Sequence, residues 1–126
     1  MYKFALENIE AVKGKQRFDK LIVNDDCPFD RFEEELEDRY RSELYSIYAI
    51  MNEVANLRSV PYTKFHFYDD SKGLYREFEF KTKHLRVYGT TVSGGKVIIT
   101  GGTKAKQKDD ETKFRRLKNL YIESLK

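Results

Sequence analysis

Apolar and polar residues alternate along the second half of the chain, and this alternation predicts consecutive β-strands. Over residues 74–81 the apolar positions of one strand face are Leu74, Phe78 and Phe80. The polar positions between them are Glu77, Glu79 and Lys81. A shorter strand is expected over Lys64–Tyr68, and the Asp, Ser, Lys and Gly residues at 69–73 have the composition of a turn.

A further strand is expected over His84–Thr90, with Leu85 and Val87 facing the core. The alternate positions are predicted to face outward together, and they are His84, Arg86 and Tyr88. A tight turn at residues 93–95 is followed by the apolar run Val97–Ile99, which is typical of a strand covered on both faces. We therefore expect this run to form a central strand.

Helical spacing precedes and follows these strands. In the middle of the chain it is carried by Tyr40, Leu44, Ile47, Tyr48, Met51, Val54 and Ala55. Helical structure is expected to begin at Asp30, which forms a capping-box pattern with Glu33, and to end before Pro61, as one helix or two. A final helix capped by Asp109 or Asp110 would bury Phe114, Leu117, Leu120, Tyr121 and Leu125.

The first residues of the chain are less regular. Residues 2–9 alternate loosely and are predicted to form a strand, whereas residues 14–24 are ambiguous. Helices followed by consecutive strands and a last helix indicate the α+β class rather than a doubly wound parallel sheet. The length and the absence of a linker composition indicate a single domain over residues 1–126.

Charge is distributed unevenly, although the net charge is only +3. Residues 25–38 carry a single base, Arg31, against Asp25, Asp26, Asp30, Glu33, Glu34, Glu35, Glu37 and Asp38. Residues 76–108 carry only Glu77 and Glu79 against Arg76, Lys81, Lys83, Arg86, Lys96, Lys104, Lys106 and Lys108. Such a basic segment attracts polyanions by phosphate contacts and counterion release, although a solvated face has the same composition.

Several kinds of site are disfavoured by the residues present. No stretch approaches the roughly 20 apolar residues that span a bilayer, so we expect a cytoplasmic protein without a membrane partner. Cys27 is the only cysteine, and His66 and His84 have no neighbouring ligands at metal-binding spacing, so no metal site is expected. The glycines at 94–102 lack the spacing of a nucleotide-binding loop, so no cofactor is expected.

Three segments of the second half carry a family resemblance. They read GLYREFEFK (73–81), HLRVYG (84–89) and KVIITGGTKAKQKD (96–109). This part of the chain resembles the three-stranded core of the RelE/ParE toxins, in particular their phage-derived and HigB-like branch. Members of that family place an Arg near an aromatic residue in the second strand and a Lys-Lys-x-Gln-Lys element before the last helix. The resemblance implies a RelE-like α+β toxin domain, with N-terminal helices packed on a small, mainly antiparallel sheet and followed by a C-terminal helix.

The same resemblance implies an activity. The chain would be the toxin of a type II toxin-antitoxin system, an endoribonuclease that cleaves messenger RNA, free or bound to the ribosome, and is neutralised by a cognate antitoxin protein. The ribose 2′-hydroxyl would attack the adjacent phosphate without a metal, so cationic side chains would bind the phosphate and stabilise its charge. Arg86 would clamp the phosphate, Lys104 would transfer a proton, and Lys81 would add charge. RNA would also contact Lys83, His84, Tyr88, Lys106 and Lys108.

Two other functions remain open at this point. Some members of the superfamily inhibit DNA gyrase and lack the cationic catalytic set, whereas this chain retains Arg86 and Lys104. Ala105 stands where the family has the second of two paired lysines, and Lys106 is displaced by one position. The missing lysine favours a non-catalytic module that binds RNA or another partner.

Overall fold

The computed structural model describes residues 1–126, which form six strands and three α-helices. The elements are β1 (Phe4–Asn8), β2 (Arg17–Val23), α1 (Pro28–Glu35), α2 (Arg41–Ala55), β3 (Phe65–Phe67), β4 (Glu77–Lys81), β5 (Leu85–Val92), β6 (Gly95–Thr103) and α3 (Gln107–Ser124). Short 3₁₀ turns at Asp38–Tyr40 and Lys104–Lys106 lead into α2 and α3. The predicted α+β class is confirmed.

All six strands belong to one mixed sheet in the order β1-β2-β6-β5-β4-β3. Neighbouring strands are antiparallel except for β2 and β6, which are parallel. The run Val97–Ile99 lies in β6, which has a partner strand on each side, so the prediction of a central strand is confirmed. The pairing of β5 with β6 shifts register between Tyr88 and Gly89. Ile98 and Ile99, consecutive in β6, face opposite sides of the sheet and lie in different hydrophobic clusters.

Helices cover both faces of this sheet. On one face, α1 and α2 pack over a large cluster that includes Phe29, Leu44, Ile47, Met51, Phe78, Phe80, Leu85 and Val87. On the other face, α3 packs over a smaller cluster formed by Leu21, Tyr88, Val97, Ile99, Phe114, Leu117 and Tyr121. The centre of the sheet therefore has no face open to solvent.

The ambiguous segment at residues 14–24 contains strand β2. Its alternation is weak because both of its faces are covered: Phe18 packs in the α1/α2 cluster and Leu21 in the α3 cluster. The loop between β1 and β2 packs against the C-terminal end of α2, where Asn52 Oδ1 accepts a 2.8 Å bond from Lys13 N. Asn56 Nδ2 donates a 3.0 Å bond to Lys13 O.

The positions where two helices start differ from those predicted. The middle segment forms two α-helices, and α1 starts at Pro28, whose restricted φ suits the first helical turn, rather than at Asp30. Asp30 accepts a bond from Lys20 Nζ at 2.6 Å and caps nothing. Helix α3 starts at Gln107, so Asp109 and Asp110 lie in its first turn, where the helix dipole favours carboxylates.

Two smaller differences concern the ends of elements. Strand β4 begins at Glu77, so Leu74 lies outside it and is 59 % exposed instead of sharing a buried face with Phe78 and Phe80. Leu125, expected on the buried stripe of the last helix, is 50 % exposed. No helix combines the length and apolar character needed to cross a membrane.

Candidate functional site

Basic side chains from β4, β5, the β4–β5 turn and the 3₁₀ turn after β6 converge at the end of the sheet where the β4–β5 turn lies. They line a groove of about 1100 Å³ whose cations are Lys64, Lys81, Lys83, Arg86 and Lys104, and whose other wall is formed by α2. We call it the basic groove. Lys81 is the cross-strand partner of Arg86, and Lys104 N donates a 2.8 Å bond to His84 O. The antiparallel ladder therefore brings together residues that are far apart in the sequence.

A second cavity of about 570 Å³ adjoins the groove and shares Lys104 with it. Gly101 and Gly102 line this cavity. A Cβ atom added at Gly101 would lie 2.7 Å from the Phe32 ring, and one added at Gly102 would lie 1.8 Å from Asp110 Oδ2. We call it the glycine cleft. His84, Lys104 and Lys106 line it, together with Arg31, Arg39 and Lys113. Lys108 lines neither the basic groove nor the glycine cleft.

Arg86 is 7 % exposed, so its expected position on an open face is wrong. Its Nη1 donates to Thr82 O at 2.5 Å and to Leu85 O at 2.7 Å, both in the β4–β5 turn. Its Nε is buried without a partner in the protein. The expectation failed because alternation shows which side chains share a face but not whether a side chain folds back onto a neighbouring turn. Arg86 holds the turn as well as lining the basic groove.

Tyr88 is fully buried beneath α3, so its expected exposure to a nucleobase is wrong. Its ring stacks on Phe114 of α3 with centroids 5.5 Å apart. Burial, reinforced by the charges of Glu79 and Glu111, raises the pKa of Tyr88 far above its ordinary value. The side chain belongs to the core of the α3 face and has no surface to offer a base.

Two carboxylates on the polar face of β4, Glu77 and Glu79, are also buried under α3. Glu79 is 2 % exposed and accepts hydrogen bonds from Tyr68 Oη at 3.1 Å and Gln107 Nε2 at 3.0 Å. Glu77 accepts a 3.2 Å bond from Arg115 Nε, and Lys118 Nζ lies 3.3 Å from its other oxygen. These contacts satisfy carboxylates that would otherwise be costly to bury.

His84 lies beside the groove but is not on the same face as Tyr88. Its ring packs against Tyr40 with centroids 4.9 Å apart, and its Nδ1 lies 2.7 Å from Glu43 Oε2 of α2. The other oxygen, Glu43 Oε1, accepts bonds from Thr82 Oγ1 at 2.5 Å and His84 N at 2.9 Å. Burial would raise the pKa of Glu43, but the bonds from Thr82 and His84 together lower it below its ordinary value. Glu43 is therefore an ionised acceptor that joins α2 to the β4–β5 turn.

The structure brings together most of the predicted site residues. Lys81, Lys83, Arg86 and Lys104 line the basic groove, while His84, Lys104 and Lys106 line the glycine cleft. Tyr88 is absent from both cavities because it is buried, and Lys108 lines neither of them. No group of three or more His, Cys, Asp or Glu side chains is arranged to hold a metal ion.

Sequence reasoning missed Glu43, the residue that orients His84. It precedes His84 by 41 positions and lies within an ordinary helical segment, so no local pattern distinguishes it from the other acids of α2. Only the knowledge that α2 packs against the β4–β5 turn could have identified Glu43. Comparisons of the chain with protein-family models, curated proteins and solved structures found no significant match.

Proposed function

We propose that the chain is the toxin of a type II toxin-antitoxin system and cleaves messenger RNA without a metal at the basic groove. The observation that carries this proposal is the convergence of Lys81, Lys83, Arg86 and Lys104 in one groove. These cations come from β4, the β4–β5 turn, β5 and the 3₁₀ turn after β6, and phosphate binding accounts for bringing them together. The proposed toxin acts in the cytoplasm and is neutralised by a cognate antitoxin.

The order of elements supports a RelE-like arrangement. Two helices connect β2 to the later strands, β4, β5 and β6 are antiparallel neighbours, and a helix follows the last strand. This order fits the N-terminal helices, the mainly antiparallel sheet and the C-terminal helix that the family resemblance implies. The strands β1 and β3 lie at the two edges of the sheet and leave this central arrangement intact.

The groove has groups suited to phosphoryl transfer by an RNA 2′-hydroxyl. Lys83 and Lys104 are exposed and free to contact phosphate oxygens, and Lys81 is half-buried beside Arg86. The Nε of Arg86 is buried and Nη1 already serves the turn, so Arg86 contributes its positive charge to the groove. Such donors stabilise charge on the phosphate while the RNA supplies its own nucleophile.

The direct test uses the purified chain and a short single-stranded RNA in the presence of a chelator, without and with ribosomes. We expect new 5′-hydroxyl ends and 2′,3′-cyclic phosphate ends, and no cleavage of the DNA of the same sequence. In cells, tightly controlled expression should produce mapped RNA cuts within minutes. Growth arrest without new cuts, together with intact RNA in both reactions, would overturn the nuclease proposal.

A second candidate is an RNA-binding module without activity. It is favoured by Ala105 in place of the family's second lysine and by the Nη1 of Arg86, which is committed to two main-chain carbonyls. This candidate predicts salt-sensitive RNA binding at the basic groove with no cleavage under any of the conditions above. Binding and cleavage assays on one RNA therefore separate the two functions.

A further inference from the structure

His84 stands where the basic groove and the glycine cleft meet, with one ring nitrogen bound and the other free. Nδ1 lies 2.7 Å from Glu43 Oε2, and the Tyr40 ring packs beside the imidazole at 4.9 Å between centroids. Nε2 has no partner in the protein, and the side chain is 43 % exposed. The ring is therefore oriented from one side and accessible from the other.

Glu43 determines which nitrogen carries the proton in the neutral ring. Its carboxylate is held by Thr82 Oγ1 and His84 N, which both donate to Oε1, so Oε2 is left to accept from Nδ1. An ionised carboxylate has no proton to donate, so Nδ1 must be the donor. The neutral imidazole then has an unprotonated Nε2, which is the form that accepts a proton.

The free nitrogen lies among groups that the proposed reaction requires. Lys104 lines both cavities, and its backbone N donates to His84 O, which fixes the two residues next to each other across the β5–β6 ladder. Because His84 and Lys104 both line the glycine cleft, a phosphate bound there by Lys104 would share that cavity with the imidazole. The proposed reaction requires a base that removes the proton of the 2′-hydroxyl adjacent to that phosphate. An unprotonated Nε2 can accept this proton.

We propose that His84 is the general base of the cleavage reaction and that Glu43 is its positioning residue, an inference that rests on the proposed nuclease function. Nε2 takes the proton of the 2′-hydroxyl as its oxygen forms a bond to phosphorus. The bond from phosphorus to the 5′-oxygen breaks, and that oxygen receives a proton from the Lys104 ammonium. His84 then returns its proton to solvent, and Lys104 regains one from solvent.

Two substitutions test the two roles separately. His84→Asn keeps an amide that can donate to Glu43 in place of Nδ1 but removes Nε2, so kcat should fall roughly 10²- to 10⁴-fold with KM little changed. Glu43→Gln keeps an oxygen for Thr82 and His84 N but sets an NH₂ group against Nδ1. That change favours the neutral ring with a proton on Nε2, and kcat should fall by roughly 10²-fold.

Asp38→Asn is the matched control for Glu43→Gln. Asp38 is a carboxylate of the turn that leads into α2; it lines neither the basic groove nor the glycine cleft, and its side chain bonds only Arg41, at 3.3 Å. This variant should cleave RNA at the parent rate. A loss in Asp38→Asn equal to that in Glu43→Gln would show a general effect of charge and would overturn the positioning role.

The ring nitrogens provide a readout that does not depend on cleavage. Nitrogen-15 NMR of the neutral His84 ring should show a protonated Nδ1 in the parent and a protonated Nε2 in Glu43→Gln. A parent that cuts RNA while His84→Asn cuts equally fast would overturn the base assignment alone, and a protonated Nε2 in the parent would overturn the role of Glu43. A parent that cuts no RNA would remove the proposed function and this step together, even with the expected tautomer.

Discussion

At the scale of single residues, Arg86 has a structural duty as well as a place in the basic groove. Its Nη1 bonds Thr82 O and Leu85 O, which tie the two sides of the β4–β5 turn to one guanidinium. The turn also carries Lys83, so the position of one groove cation depends on the bonds made by another. An effect of Arg86 on cleavage must therefore be separated from its effect on folding.

Arg86→Ala should lower the free energy of unfolding by about 1–3 kcal/mol, because the main-chain carbonyls of Thr82 and Leu85 lose a charged donor. Arg86→Lys should recover part of this loss, since an ammonium can still donate to one carbonyl. Urea denaturation monitored by circular dichroism measures the free energy of unfolding of both variants. Lys83 is an exposed cation of the same turn, and Lys83→Ala should change the free energy of unfolding by less than about 0.5 kcal/mol. An Arg86→Ala protein as stable as the parent would show that these bonds contribute nothing.

Glu43 should make stability depend on acid pH. Its pKa in the folded protein lies below its ordinary value of 4.5, so its contribution is fully present above that value and is lost as pH falls through the folded pKa. The unfolding free energy of the parent minus that of Glu43→Gln should therefore shrink as pH is lowered from about 6 to about 3. Urea titrations at several pH values measure this difference, and a difference that stays constant would contradict the prediction.

At the scale of elements, the pairing of β5 with β6 depends on a residue without a side chain. At Gly89, next to the register shift, a Cβ atom would lie 2.4 Å from Val97 O and 2.6 Å from the Phe78 ring. Both neighbours are rigid, since one is backbone of the central strand and the other is a fully buried ring. The close approach of β4, β5 and β6 at this point therefore requires glycine.

Gly89→Ala should destabilise the protein by about 1–3 kcal/mol or more, because the added methyl group forces the strands or the Phe78 ring to move. Thermal unfolding followed by circular dichroism measures the loss as a lower Tm. Ser93→Ala, in the exposed turn between the same two strands, is the control and should leave Tm nearly unchanged. Equal Tm values for the two variants would mean that the site accommodates a methyl group.

At the scale of the whole molecule, acidic and basic residues are separated. The acidic segment at residues 25–38 forms α1 and the turn before α2, and several of its charges are paired, as in Lys20 with Asp30 and Arg31 with Asp26. In the basic groove, Lys81, Lys83 and Lys104 form no ion pair with a carboxylate of the protein. Unpaired cations collected in one groove are available to an anionic ligand.

RNA affinity should therefore fall steeply with salt, with each phosphate contact contributing about 0.7 to the slope of log K against log salt concentration on a single strand. Converting Lys81 and Lys104 together to Ala should reduce the slope by roughly 1.4. Fluorescence anisotropy with a labelled RNA at several salt concentrations measures it. Lys72→Ala, an exposed lysine outside the groove, should keep the parent slope, and an unchanged slope in the double variant would place the RNA elsewhere.

Local patterns in the sequence determined much of the architecture. The α+β class, the final helix and the central position of Val97–Ile99 follow from periodicity, which reports local geometry directly. Four cations of the basic groove, Lys81, Lys83, Arg86 and Lys104, were identified from the sequence through the family resemblance and the basic composition of residues 76–108, whereas Lys64, which precedes β3, was not. Strand β2 was missed because burial on both faces removes the alternation that marks a strand.

Tertiary structure alone decided which face of the sheet meets solvent and what lies beside His84. Alternation assigned Arg86 and Tyr88 to one face, but Tyr88 is buried under α3 and the guanidinium of Arg86 is bound to the β4–β5 turn; such packing leaves no mark within the strand. The contact between Glu43 and His84 joins residues 41 positions apart, because α2 packs beside the β4–β5 turn. The sequence by itself supplied the strands and the charges, whereas long-range packing selected which side chains are accessible and oriented, because that choice depends on elements distant in the chain.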